Sequence, residues 1–318
     1  MERALCPVLV GREAELSQLE DALLGSNRGE AQVVVLAGDA GMGKTRLATE
    51  LQRRARRLGM NVMWGGCSEA DLALPYLPFL EAIGNFIRGM DLPDLRNKLG
   101  VEARELAHLF PQLAAEGVAP DLDSMQGRLR LYEAVLALLE LAARDKGLLI
   151  LLEDLHWSDA STRELLDYLT RRLRRERIMA LVRDRSDEMR GMDPLLALIQ
   201  GWRRSSVATM VELGPLTADK VAQMVIAIFD LGEEGVQDDT RDFLYERTEG
   251  NPFVLEEMLK AALDRGDIFR SKEGWTRKSL EDFELPRSVR ETILLRLNRL
   301  LREEIYRLRP QLGRGAIF

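Results

Sequence analysis

Val33-Val-Val-Leu36 and, after Ala37, Gly38-Asp39-Ala40-Gly41-Met42-Gly43-Lys44-Thr45 decide how this chain folds. Four apolar residues in a row read as a short buried strand. The next eight fit the spacing Gly-x-x-x-x-Gly-Lys-Thr. A helix over about 44–58 follows, with Leu47, Leu51 and Leu58 inward and Arg53, Arg54, Arg56 and Arg57 toward solvent. Strand, glycine-rich loop and helix in that order form a phosphate-binding loop. Glycines let the backbone curl until successive N–H groups point inward at phosphate oxygens, and the helix N-terminus adds the positive end of its dipole. Lys44 would reach the β- and γ-phosphates of a nucleoside triphosphate, and the Thr45 hydroxyl would ligate Mg²⁺. Residue frequencies alone give the bare pattern in about one chain in a hundred of this length. The strand before it and the helix after it make coincidence rarer still.

Composition closes off several other classes. The 318 residues are 46% apolar and 31% charged, a globular composition long enough, at ~150 residues each, for roughly two domains with a sizeable core. The balance of 45 Lys and Arg against 52 Asp and Glu leaves a net charge of -7, so a surface that grips nucleic acid all over is not expected. The apolar run Leu148-Leu-Ile-Leu-Leu152 is short, far below the ~20 residues of a membrane span. The opening Met1-Glu-Arg-Ala-Leu-Cys-Pro lacks the apolar region of a signal peptide. Cys6 and Cys67 are far apart, and His108 and His156 are the only histidines, too few for a His/Cys metal site. A reducing cytoplasm is the default compartment.

Strands and helices alternate along the first two thirds. Leu16, Leu19, Leu23 and Leu24 share one face of a helix over 13–24, and Asn61-Val-Met-Trp64 is a second strand. Residues 72–146 read as helices punctuated by Pro75, Pro78, Pro93, Pro111 and Pro120, the longest over 126–144. Leu148 to Leu152, Ile178-Met-Ala-Leu-Val182 and the stretch 207–213 supply three more strands, with a helix near 194–202. Ser161, with Glu164 three residues on, reads as a capping box. Such alternation implies an α/β fold, a parallel sheet with helices on both faces. After Gly214-Pro215 the spacing predicts three successive helices over 217–230, 238–249 and 251–265, then a hairpin pairing Ile268-Phe269 with Trp275-Thr276. Val289, Ile293, Leu297 and Leu300 stripe a further helix.

Hydrolysis of a nucleoside triphosphate needs an acidic residue at the end of a neighbouring strand. The third strand ends in Glu153 and Asp154. Glu153 would hold the water shell of the metal, and Asp154 would polarise the attacking water. The metal position more usually holds Asp, so which residue does which stays open. His156-Trp157 follows, and a packed Trp beside a hydrogen-bonded structural His outweighs a catalytic His. Arg185 falls beyond the fourth strand, at the sheet edge where ligands bind, and its guanidinium could sense the γ-phosphate. A surface salt-bridge cluster with Arg183, Asp184 and Asp187 is the competing reading. The run Arg171-Arg-Leu-Arg-Arg-Glu-Arg177 reads as a solvated last helical turn, with its cations complementing the dipole.

Together these segments resemble the ATPase module of STAND-class signalling ATPases within the AAA+ group. The module is found in large LuxR-type (MalT-like) bacterial transcriptional regulators and in some adenylate cyclases and kinases. Leu9-Val10-Gly11-Arg12-Glu-Ala-Glu-Leu16 is similar to the box beside the adenine. Gly38 to Thr45, continuing to Arg46, resembles the Walker A loop, and Leu148 to Asp159 the Walker B segment with its His-Trp signature. Arg185-Ser-Asp-Glu188 is similar to the sensor 1 segment. Thr248-Glu-Gly-Asn-Pro-Phe253 resembles the lid motif whose proline, Pro252, would touch the base. Pro75-Tyr-Leu-Pro-Phe79 and Leu285-Pro-Arg-Ser-Val-Arg-Glu-Thr-Ile293 also resemble family stretches, the latter opening a winged helix. Two departures stand out. The strand before Arg185 is one residue short of the family pattern, and the thirty-odd residues after Leu285 are too few to complete a domain of at least ~50.

The resemblance implies a P-loop ATPase core over 1–214, a helical lid over 215–284 and an incomplete winged-helix segment over 285–318, as in a truncated chain. It implies ATP and ADP with Mg²⁺ as ligands, with Val10, Gly11, Arg12, the loop 38–45, Arg46 and Pro252 around the nucleotide. Thr45 and Glu153 would serve the metal, and Lys44, Asp154 and Arg185 the chemistry. The implied function is a slow ATPase signalling switch in which ATP/ADP exchange controls lid closure and a downstream output, the regulation of transcription. Self-association on ATP binding is the partner it allows, and nucleic acid is not expected to bind through this chain alone. The competing functions are a regulator that binds DNA directly through this chain and a P-loop metabolic kinase.

Overall fold

Each apolar run in the first two thirds becomes a strand: β1 Gln32–Gly38, β2 Asn61–Gly66, β3 Leu148–Glu153, β4 Ile178–Arg183 and β5 Thr209–Leu213. They hydrogen-bond in the order β2-β3-β4-β1-β5, every pair parallel. All of β4 is buried, as is all but one terminal residue of β1 and of β3, which marks a sheet covered on both faces. The cover is helical: α1 Glu13–Asn27, α2 Lys44–Arg57, α3 Leu77–Ile87, α4 Leu92–Leu99, α5 Glu102–Leu106, α6 Met125–Ala143, α7 Ala160–Arg172 and α8 Pro194–Arg204. One core gathers Val33, Val35, Ile150, Leu152 and Val182 from the strands with Phe79, Ile83, Leu138 and Trp202 from the helices. The fold is α/β of the P-loop nucleoside-triphosphatase kind. Its strand order sets β4 between the strand that feeds the glycine-rich loop and the strand that ends in the acidic pair.

The computed structural model describes residues 5–68, 74–114, 124–183, 194–232, 235–271 and 274–277. The chain divides into two compact units, Arg12–Gly214 and a second made of Met1–Gly11 with Pro215–Phe318. The second unit holds α9 Ala218–Phe229, α10 Asp238–Thr248, α11 Pro252–Asp264 and a hairpin of β6 Ile268–Ser271 and β7 Gly274–Arg277, with Phe269 opposite Thr276. Its core joins Leu216, Val221, Met224, Phe229, Leu255 and Leu259 to Cys6, which arrives from the other end of the chain, with Leu5 and Val10 against it. The Cys6 N–H also donates to Glu256 Oε1 at 3.3 Å. The segment 285–318, expected to open a winged helix, lies outside the described residues.

Three local expectations change. Leu58, expected inward, is 44% exposed, because α2 ends at Arg57 and the chain turns away through Gly59 at φ 75°. The second strand runs two residues further, through Gly65 and Gly66. A Cβ at Gly65 would overlap the Pro78 carbonyl oxygen, so β2 rests directly on the backbone of the first turn of α3. The capping box at Ser161 is also displaced, since α7 starts at Ala160 and its N-cap is Asp159.

Asp159 accepts from the N–H groups of Ser161 at 2.8 Å and Thr162 at 3.1 Å, from the Thr162 hydroxyl, and from the Tyr76 N–H at 3.4 Å. One carboxylate thereby caps α7 and anchors the turn before α3. Glu164, freed from a capping role, instead accepts from Arg128 and the Tyr132 hydroxyl, each at 3.2 Å. Burial alone would raise the Asp159 pKa, but its hydrogen bonds outweigh burial and hold it below the usual value. Its stabilisation is therefore complete above the unfolded-state value of ~3.9 and is lost as pH falls through the lower folded-state value. Asp159→Ala is expected to cost about 1–2 kcal/mol at neutral pH, read as a lower urea midpoint. The gap to wild type should close as pH drops below ~4.

Candidate functional site

The glycine-rich loop leaves β1 with three left-handed glycines, Gly38 at φ 152°, Gly41 at 82° and Gly43 at 92°. At Gly38 space adds a second requirement, since a Cβ would sit 2.7 Å from the Leu213 carbonyl oxygen of β5. No side chain caps the N-terminus of α2, so its positive dipole end opens onto the loop, as an anion requires. Lys44 is 7% exposed. Its ammonium donates to the Gly38 carbonyl and, at 2.9 Å, to the Asp39 carbonyl, so the charge lies along the inner side of the loop. Met42 is buried beneath it. Asp39, Ala40, Gly41 and Arg46 complete the loop and the first turn of α2.

Arg12 supports this loop from behind. Only 5% exposed, its guanidinium donates to the carbonyls of Met42 at 3.1 Å and Gly214 at 2.6 Å and pairs with Glu15 at 3.1 Å. That engagement makes it a brace between the loop and the end of the strand domain. Val10, Gly11 and Pro252 belong to the second unit. Gly11, at φ 67°, lets the backbone approach closely, because a Cβ would sit 2.9 Å from Leu216 Cδ2. Pro252 is the first residue of α11, whose N-cap Asn251 accepts from the N–H groups of Phe253 and Val254. A Cβ at Gly250 would overlap the Leu216 carbonyl oxygen, and the Leu216 N–H donates to Gly250 at 2.8 Å. The Gly-Asn-Pro signature thus builds a close turn and a capped helix start.

The acidic pair sits at the end of β3. Leu152 is in register with Val182, so the next residues, Glu153 and Arg183, lie side by side. Arg183 is 8% exposed. Its Nη2 donates to Asp154 Oδ2 at 2.9 Å, its Nη1 donates to the Thr45 hydroxyl, and its Nε lies 3.1 Å from Glu153 Oε1. That last N–H is not aimed at the oxygen, so the contact is an ion pair without an aligned hydrogen bond. Burial pushes the Glu153 carboxyl above its usual pKa, with the negative charge of Asp154 adding to the rise, while Arg183 and a hydrogen bond from the Trp64 indole draw it back. Asp154 takes a left-handed backbone, φ 53°, a conformation that collects at functional sites when held by its surroundings.

The structure therefore brings Thr45, Glu153 and Asp154 together around a cation, and that cation is Arg183. The sequence placed Arg183 only in a surface salt-bridge cluster that competed with a role for Arg185. The usable signal was its register, one residue past the last apolar position of β4 and beside Leu36 of β1. Arg185 lies outside the described residues. The donor set suits Mg²⁺, which takes a hydroxyl and carboxylates and completes its shell with water and phosphate oxygens. Among the described residues no cluster of three His, Cys, Asp or Glu side chains could hold a metal without such help. The His156 and Trp157 rings pack at a tilt of 51°, centroids 5.0 Å apart. In the arginine run, Arg171 pairs with Asp167 at 2.8 Å, Arg172 lies over the Tyr168 ring, and Arg177 donates to Asn27 and to the Asp145 carbonyl.

Removing the Arg12 brace leaves the buried Met42 carbonyl and the part-buried Gly214 carbonyl without this donor. Arg12→Ala is expected to destabilise the protein by about 2–4 kcal/mol, measured as a shift of the urea midpoint, and Arg12→Lys to recover less than half of that, since an ammonium cannot reach both carbonyls in fixed geometry.

Over 269 residues the chain is 24% identical to an uncharacterized protein of Rhizobium meliloti (strain 1021), covering 79% of this chain and 25% of that protein. The chain thus spans about a quarter of the length of this curated relative. The fold is similar to a Walker-type ATPase of Pyrococcus abyssi, with a TM-score of 0.52 at 14% identity, over 96% of this chain and 77% of the other. A STAND protein with a tetratricopeptide repeat sensor from Pyrococcus horikoshii aligns with a TM-score of 0.41 at 18% identity, over 80% of this chain and 31% of that one. No helix among the described residues is long and apolar enough to cross a membrane. The family described as AAA ATPase domain matches residues 8–182, more than half of the chain, and this protein belongs to that family.

Proposed function

We propose that this chain is a nucleotide switch of the STAND kind, binding ATP and ADP with Mg²⁺ and hydrolysing ATP slowly. The observation that carries the reading is the meeting of the loop and the acidic pair across β4, with Lys44 laid along the loop and Thr45, Glu153 and Asp154 sharing one cation. Loop N–H groups and Lys44 bind and orient the phosphates. When bound, Mg²⁺ supplies charge neutralisation at the phosphate oxygens. Glu153, partly buried and hydrogen-bonded to Trp64, holds the metal's water shell, and Asp154 accepts the proton of the attacking water. Exchange of ADP for ATP would be relayed to the second unit as lid movement, and from there to an output such as transcription, in the manner of LuxR-type regulators. Self-association on ATP binding belongs to the same reading, as does a cytoplasmic site of action.

Two variants test it. With a fluorescent ATP analogue, Lys44→Ala is expected to bind at least about tenfold more weakly than wild type, with a thermal melt checking that the variant is folded. No binding by wild type, or equal binding by both, overturns the reading. Asp154→Asn should keep nucleotide binding and lose about a hundredfold or more in phosphate release. Turnover equal to wild type would remove Asp154 from the role of base.

A further inference from the structure

Arg183 is the point at which the two halves of the site are joined. A guanidinium is planar and offers its N–H groups in a fixed fork. Here Nη1 takes Thr45 on α2, Nη2 takes Asp154, and Nε faces Glu153 at 3.1 Å. The same three side chains supply the hydroxyl and carboxylate oxygens on which a divalent cation would draw. A lone pair of the Thr45 hydroxyl that accepts from Nη1 cannot at the same time face a metal. A second cation among these oxygens would also meet the charge of a group that is 8% exposed, where water screens little.

We propose that Arg183 is a resident counter-cation, which Mg²⁺ must displace from Thr45, Glu153 and Asp154, and that it thereby sets how strongly nucleotide binding depends on Mg²⁺. The proposal rests on the nucleotide-site reading given above. Without metal, Arg183 offsets the two carboxylates and leaves the loop able to receive phosphate. With metal, its ion pairs have to be given up, which subtracts from the gain that Mg²⁺ brings. Arg183 is a positioning residue, since it acts through Thr45 and the acidic pair. Its place on β4, beside Leu36 of β1 and one step past the Val182–Leu152 pairing, gives it reach to both.

The test uses the full chain as wild type, Arg183→Met and Arg183→Lys. ADP affinity is measured with Mg²⁺ and with EDTA, and the ratio of the two is compared. In Arg183→Met the uncompensated carboxylates repel Mg²⁺-free phosphate and accept the metal unopposed, so the ratio is expected to rise at least about tenfold. Arg183→Lys, which keeps the charge and loses the fork, should fall between. A second arm needs no nucleotide: Mg²⁺ alone should raise the melting temperature of Arg183→Met and leave wild type nearly unmoved. An unchanged or smaller ratio, or equal Mg²⁺ effects on melting, overturns the proposal. So does a selective loss of ATP over ADP affinity at constant ratio, which would make Arg183 a γ-phosphate contact only. Should Arg183→Met fail to fold, Arg183→Lys carries the test, and a ratio less than about fivefold above wild type overturns it. If wild type binds no nucleotide under either condition, the switch reading falls while the melting arm still decides the role of Arg183.

Discussion

Two carboxylates side by side at the end of a buried strand repel each other and resist leaving water, and a cation between them is what makes the arrangement tenable. Glu153 and Asp154 are in that position, and Arg183 answers it. The sheet order follows the same need. Were β3 next to β1, the acidic pair would border the loop with no strand between them to carry a counter-charge. With β4 inserted, a single side chain at its end reaches α2 on one side and the acidic pair on the other.

The loop shows a second constraint, imposed by backbone. Gly38 is pressed against a carbonyl of β5, Gly65 against a carbonyl of α3 and, within the second unit, Gly250 against the Leu216 carbonyl. At each place a methyl group would drive two polar main chains apart. Arg12 works alongside Gly38 by satisfying the carbonyls of Met42 in the curled loop and Gly214 just past β5. Through Gly38 and Arg12 the curl of the loop is held by contacts that involve no phosphate, which is what preorganisation requires.

Much of this was legible in the sequence, for physical reasons that can be named. Leu148 to Leu152 and Ile178 to Val182 are apolar throughout because both faces of a parallel sheet are covered, so strands, loop and helix α2 are readable from composition. The loop residues 38–45 were readable because their spacing is dictated by local backbone geometry. What failed to be legible depends on register or on distant contacts. Arg183 looks like any charged residue at a strand end until its neighbours across the sheet are known. Ser161 was a sound cap by local pattern, but Asp159 two residues earlier gains extra donors from Thr162 and Tyr76, and a tertiary partner 83 positions away is not written in a window of ten. The exposure of Leu58 turned on one glycine turn.

The residues around Cys6 carry no periodicity, yet they lie in the core of the second unit with Leu216, Val221 and Leu259. That unit is therefore discontinuous: its first piece leaves the ribosome about 200 residues before the rest, a delay of roughly 10–40 s at ordinary synthesis rates. Until helices α9 to α11 are made, Leu5, Cys6 and Val10 lack the partners that cover them in the folded unit, whereas residues 12–214, the whole sheet unit, are complete before those helices begin. The threading of the chain thus sets a dependence: the second unit closes only once helices α9 to α11 have been made to collect the opening segment.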